Sequence, residues 1–97
     1  MPIYIALSRY TQKGVESIKD GPARLDAAKK NLAAAGGKLI GFYLTMGQYD
    51  IVTITEFPDE ETAARAGLAS VSQGNLRGET LRAFTEEEYR RIIASLP

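Results

Sequence analysis

The run Lys38–Phe57, KLIGFYLTMGQYDIVTITEF, constrains this chain more than any other stretch. It reads as two long strands around one tight, glycine-containing turn. In the first strand, Lys38–Met46, the residues Ile40, Phe42, Leu44 and Met46 share one face, and Leu39, Gly41, Tyr43 and Thr45 share the other. Gly47-Gln48-Tyr49-Asp50 then reverses the chain. The second strand, Ile51–Phe57, is rich in β-branched residues, with Ile51, Thr53, Thr55 and Phe57 on one face and Val52, Ile54 and Glu56 on the other. So short a connection leaves an antiparallel hairpin, because a parallel return needs a crossover of about a dozen residues or more.

The remaining segments arrange themselves around that hairpin. Ile3–Tyr10 alternates as a strand, Ile3, Ile5 and Leu7 against Tyr4, Ala6, Ser8 and Tyr10, and both faces are mostly apolar. Thr11 caps a helix that begins at Gln12, breaks at Gly21-Pro22 and resumes to Ala35, with Leu25, Ala28 and Leu32 inward and Gly36-Gly37 ending it. After the hairpin, Pro58-Asp59 opens a helix with acidic residues in its first turn, whose inward face is Ala63, Ala66, Leu68, Ala69 and Val71. Leu76–Phe84 is a strand with a bulge expected at Gly78. Thr85-Glu86-Glu87-Glu88 is a capping box that starts a last helix, apolar at Tyr89, Ile92, Ile93 and Leu96.

The order β-α-β-β-α-β-α predicts an α+β fold. Its first six elements match the ferredoxin-like βαββαβ unit, a four-stranded antiparallel sheet in the order 4-1-3-2 with helices on one face, followed here by a C-terminal helix. Residues 1–97 suffice for one domain. Helices cover one sheet face, yet the strands are apolar on both, and an uncovered apolar sheet calls for association. The economical arrangement is a homodimer with sheets face to face, a dimeric α/β barrel.

Several chemistries are hard to build from this composition. The chain has no Cys and no His, which removes disulfides, thiolate nucleophiles, the commonest general base and the usual haem and transition-metal ligands. No cofactor or metal is expected. Twelve basic residues balance twelve acidic ones, so no net field favours nucleic acid or anionic lipid. No signal peptide or membrane span is visible, and the cytoplasm is the default location. There is no P-loop, dinucleotide fingerprint or EF-hand loop.

With the elements in place, Met46-Gly47-Gln48-Tyr49-Asp50 in the hairpin resembles the signature of the GYD-domain family, with the usual G-x-Y-D spacing. Arg24-Leu25-Asp26, Phe42-Tyr43 and Glu79-Thr80-Leu81-Arg82-Ala83-Phe84-Thr85 support the resemblance. It spans essentially the full chain and implies a ferredoxin-like dimeric barrel of undefined biochemical role, with no established catalytic residues to carry over.

The candidate site residues are polar groups on or beside strands. Gly47, Tyr49 and Asp50 either form the mouth of a ligand site or serve the turn itself, glycine taking positive φ and aspartate bonding its own backbone at the strand start. Tyr4, Tyr10, Tyr43 and Tyr49 either line a cavity or pack an interface. Arg82 binds a ligand carboxylate, pairs with Glu79, or reaches Asp50 from two strands away, across about 10 Å of backbone. The ligand-binding set is therefore Tyr49, Asp50, Arg82, Tyr43 and Tyr4, suited to a small acid or polar aromatic compound. The expected function is a homo-oligomeric module that binds a small organic ligand or serves assembly. The alternative is a cofactor-free isomerase or oxygenase using Tyr49, Asp50 and Arg82.

Overall fold

A computed structural model describes every residue from Met1 to Pro97. In chain order the elements are β1 (Ile3–Tyr10), α1 (Gln12–Glu16), a single 3-10 turn (Ile18–Asp20), α2 (Gly21–Ala34), β2 (Lys38–Leu44), β3 (Ile51–Glu56), α3 (Glu60–Ser72), β4 (Leu76–Ala83) and α4 (Glu86–Ala94). The strands form one antiparallel sheet in the order β2-β3-β1-β4, as the sequence predicts. β1 is central, with Ile5 opposite both Ile54 of β3 and Leu81 of β4. This is the α+β ferredoxin-like fold.

Pairing sorts the strand residues into two faces, because directly opposed side chains point the same way. Tyr4, Ala6 and Ser8 share a face with Thr53, Thr55, Thr80 and Arg82. Ile3, Ile5 and Leu7 share the other with Val52, Ile54, Glu79, Leu81 and Tyr43. The helices lie on the Tyr4 face. Phe57 meets Tyr4 edge-on at 6.0 Å and lies against Gly37 at the end of α2, while α3 crosses above Tyr4, Thr80 and Arg82. The Ile5 face has no helix over it.

The irregularity in the sheet is not where the sequence suggested. Gly78 forms no bulge: it stays in register opposite Ser8. Its role is close approach, since a Cβ there would stand 1.9 Å from the Leu7 carbonyl oxygen. The bulge falls in β2, where Leu39 opposes Thr55 but Gly41 opposes Ile54, leaving Ile40 extra. That additional residue puts Leu39 on the Phe42 face instead of the Tyr43 face.

Helix boundaries follow local chemistry closely. The Thr11 side chain accepts from the Gly14 N–H, Asp59 accepts from Thr62 N–H at 2.7 Å, and Thr85 and Glu88 cap each other reciprocally. The first helix breaks at Ser17, a few residues before Gly21-Pro22, and Pro22 sits in the first turn of α2.

Packing is looser than the helical periodicities imply. Ile51 and Phe57 are the large side chains that count as buried, and even they keep 6% and 5% of their surface exposed. Leu68 and Val71, expected on the inward face of α3, are 71% and 39% exposed. α3 makes substantial contact with β4 alone, and α4 packs substantially on no other element. The apolar stripe of α4 is open to solvent along its length, because the helix begins beyond the end of β4 and has no sheet beneath it. The accessible surface is 6895 Å², whereas a compact monomer of this mass exposes about 5,500 Å². The radius of gyration, 14.7 Å, likewise exceeds the ~12.5 Å expected for this length. No helix is long and apolar enough to cross a membrane.

Candidate functional site

The hairpin loop is longer than the sequence implies. β2 stops at Leu44, so Thr45 and Met46 join the turn, and Met46 is almost fully exposed. Gly47 has φ 123°, a conformation that side-chain-bearing residues avoid. Two bonds tie the loop to itself: Thr45 N–H donates to the Asp50 carbonyl at 2.8 Å, and the Thr45 hydroxyl donates to the Tyr49 carbonyl at 2.6 Å.

Asp50 fastens the loop to β1. Its N–H donates to the Ser8 carbonyl at 2.8 Å, and its carboxylate accepts the Tyr10 N–H at 2.9 Å. The carboxylate thus satisfies a partly buried backbone donor at the end of a central strand. It bonds the backbone of a neighbouring strand and not, as the turn reading had it, its own.

Tyr49 turns toward the uncovered face. Its hydroxyl donates to Glu79 Oε1 at 2.8 Å, and the Arg9 guanidinium lies 4.7 Å above its ring. Arg9 Nε donates to the Gln48 carbonyl at 2.6 Å, which holds the cation in place. Arg9, Tyr49, Gly78 and Glu79 line an open concavity of about 320 Å³ at the rim of the sheet. The hydrogen bond to Glu79, then desolvation and the charge of that carboxylate, push the Tyr49 phenol above its ordinary 10.0 against the opposing pull of Arg9. Tyr49 therefore stays protonated near neutrality and is a donor, not a base.

The other candidates divide between the two faces. Tyr43 is exposed on the open face, in the same cross-strand row as Val52, Leu7 and Glu79. Tyr4 and Arg82 lie on the helix face, with the Arg82 guanidinium 5.7 Å from the Tyr4 ring and 4.6 Å from that of Phe84. The Tyr4 hydroxyl is buried there with no hydrogen-bond partner. Arg82 pairs with neither Asp50 nor Glu79. It opposes Tyr4 at one end of β1, Asp50 bonds Tyr10 at the other, and Glu79 faces the opposite side. The chain's ion pairs are Glu61–Arg65 and Glu86–Arg90, both along helices. No three carboxylates gather where a metal ion would sit.

Arg9 was not singled out from the sequence. It follows Leu7 on the open face, but only the sheet register puts it beside Gln48 and Tyr49, some forty residues on.

A loop that closes on itself through Gly47 and anchors to β1 through Asp50 gives the run Gly47-Gln48-Tyr49-Asp50 a definite architecture. The family model described as "GYD domain" matches residues 4–93.

The chain belongs to the GYD family.

A relative from Thermus thermophilus, named as a glutamine synthetase and cystathionine beta-lyase binding protein, is 34% identical over 85 residues, covering 87% of this chain and 90% of the relative. No solved structure matches the chain. In this GYD-family protein the glycine supplies backbone geometry, the aspartate an anchor, and the tyrosine the one side chain of the three that faces the open surface. Tyr49, Asp50 and Arg82 do not converge on a common point, so the three do not assemble an acid–base group.

Proposed function

We propose that this protein is a binding module that associates with itself through the uncovered sheet face and docks on a metabolic enzyme. One observation carries this reading: Ile3, Ile5, Leu7, Val52, Ile54 and Leu81 form an apolar field with no helix over it. Arg9, Arg77 and Glu79 at one end and Lys38 and Glu56 at the other give that field a charged rim, the arrangement of a protein interface. The name of the Thermus relative supports the second half of the reading, and glutamine synthetase and cystathionine beta-lyase are the first enzymes to try.

The test uses Leu81→Glu. Leu81 is already 44% exposed, so the variant folds, but it places a charge in the apolar field. Sedimentation is expected to show association of the wild type at micromolar concentration and at least tenfold weaker association of the variant. Co-elution of the wild type with one of the two enzymes from the same genome is expected as well. A wild type that sediments at 10.6 kDa and co-elutes with neither enzyme refutes the reading.

A second reading places a small polar or acidic ligand at the rim. The Arg9–Tyr49–Glu79 concavity favours it, with Tyr43 on the same face and a phenol available as donor. Asp50 then shapes the site by holding the loop, and Tyr4 and Arg82 line a separate space under α3. Native mass spectrometry of protein from its own host tests this: a bound small molecule that Tyr49→Phe or Arg9→Ala removes supports it, and a ligand-free spectrum opposes it.

A further inference from the structure

At the rim of the open face, two opposite charges line one concavity and do not pair. Arg9 and Glu79 both border the space of about 320 Å³, yet the chain's ion pairs are the two along helices. Tyr49 keeps them apart. The Arg9 guanidinium lies 4.7 Å above the Tyr49 ring, while Glu79 is engaged at the hydroxyl end of that ring through Oε1. Arg9 is also fixed through Nε, which donates to the Gln48 carbonyl at 2.6 Å. Its orientation is thus set by its face and its Nε, and its terminal nitrogens bond nothing in the chain. Glu79 likewise keeps Oε2 free. A cation and a carboxylate are therefore both held in place with hydrogen-bonding capacity unspent, which is what a preorganised receptor requires.

Arg77 adds a second cation. It stands directly opposite Arg9 across the β1–β4 pair, so the two side chains leave the same face with Cβ atoms about 5 Å apart. Like charges so placed repel each other. Neither arginine has an acid to offset it. Asp50, the acid of the hairpin loop, is committed to the Tyr10 N–H. The rim thus carries two guanidinium groups against one carboxylate.

We infer that this rim binds a free α-amino acid with an acidic side chain. The α-carboxylate accepts from the terminal nitrogens of Arg9, the α-ammonium donates to Glu79, and the side-chain carboxylate meets Arg77. A simple anion would face Glu79 with like charge, and a simple amine would face two arginines. A molecule carrying both charges, with the negative in excess, matches all three groups. This inference rests on the second reading above, that the rim holds a small polar ligand, and names its chemical class. The site is open and its contacts are exposed, so the dissociation constant is on the order of 1 mM.

The test is a ¹H–¹⁵N NMR titration of the full chain at constant ionic strength, following the Gln48, Tyr49 and Gly78 amides. L-glutamate is the probe. Glutarate lacks the ammonium, and L-glutamine lacks the side-chain charge. L-glutamate is expected to give saturable shifts at these amides, and each analogue to bind at least threefold more weakly. Two variants cross with the analogues. Glu79→Gln is expected to abolish the preference for glutamate over glutarate, and Arg77→Gln the preference for glutamate over glutamine. A merely structural role for either residue would move all three ligands together. Absence of saturable shifts with glutamate overturns the inference, as does equal binding of either analogue or a preference that survives its variant. The underlying reading is judged separately by the native spectrum. A different small molecule there, released by Arg9→Ala, alongside a glutamate titration without effect, overturns the inference and leaves the second reading standing.

Discussion

Replacing Asp50 by alanine removes the carboxylate that accepts the Tyr10 N–H at 2.9 Å and leaves a partly buried backbone donor without its partner. A hydrogen bond to a charged group contributes about 1.5–3 kcal/mol, and an abandoned buried donor costs a similar amount. The expected loss for Asp50→Ala is therefore about 2 kcal/mol. In a domain of this length each kcal/mol moves the melting temperature by roughly 4–8 °C, so a fall of about 10 °C is expected. Asp50→Asn retains a neutral acceptor and should lose about half as much. Thermal unfolding followed by circular dichroism measures both, at one fixed protein concentration because self-association makes melting concentration-dependent. Tyr49→Phe, which gives up only an exposed bond to Glu79, is the control and should melt within a few degrees of wild type, about 0.5 kcal/mol or less. An Asp50→Ala variant that melts with the wild type would refute the anchoring role and return Asp50 to the pool of residues free to meet a ligand.

Three further outcomes are expected. Gly47→Val should cost about 1–3 kcal/mol through backbone strain alone, since φ is 123° and a Cβ there meets open space, while Gln48→Ala should be nearly neutral; equal melting temperatures would contradict this. Gly78→Ala should destabilise through steric conflict, because its methyl would fall 1.9 Å from the Leu7 carbonyl oxygen and force β1 and β4 apart; weakened hydrogen-exchange protection along that pair is the diagnostic, and unchanged protection would count against it. The Thr85 backbone N–H, chiefly, holds the Glu88 carboxyl below its ordinary 4.5. The cap's contribution is therefore complete above that value and is lost as pH falls through the depressed folded value. NMR should show the start of α4 fraying as pH falls below the ordinary glutamate range while the sheet signals persist, and an α4 insensitive to acid would show the cap to be unimportant.

Much of this protein is written locally. The β-branched run at Ile51–Glu56, the caps at Thr11, Asp59 and Thr85 and the early proline of α2 each determine structure within a few residues, so element order and strand order followed from the sequence. Hydrophobic alternation also showed that both sheet faces are apolar. It did not show where the alternation skips: the bulge at Ile40 and the straight passage through Gly78 depend on how closely a neighbouring strand approaches, which a single strand's sequence does not record. The candidate site divided along the same line. Tyr49 and Asp50 were marked by their motif, but their partners Glu79, Arg9 and the Tyr10 N–H come from other strands and meet them only through register. For Arg82 the sequence left a ligand, Glu79 and Asp50 open as partners; alternation along β4 puts Glu79 on the opposite face, and the length of β1 puts Asp50 at the opposite end. Periodicity put Leu68 on an inward face and Ile92 and Ile93 on the apolar side of the last helix, yet all three are exposed. How closely a helix lies on the sheet is a property of the assembled fold and not of any segment within it.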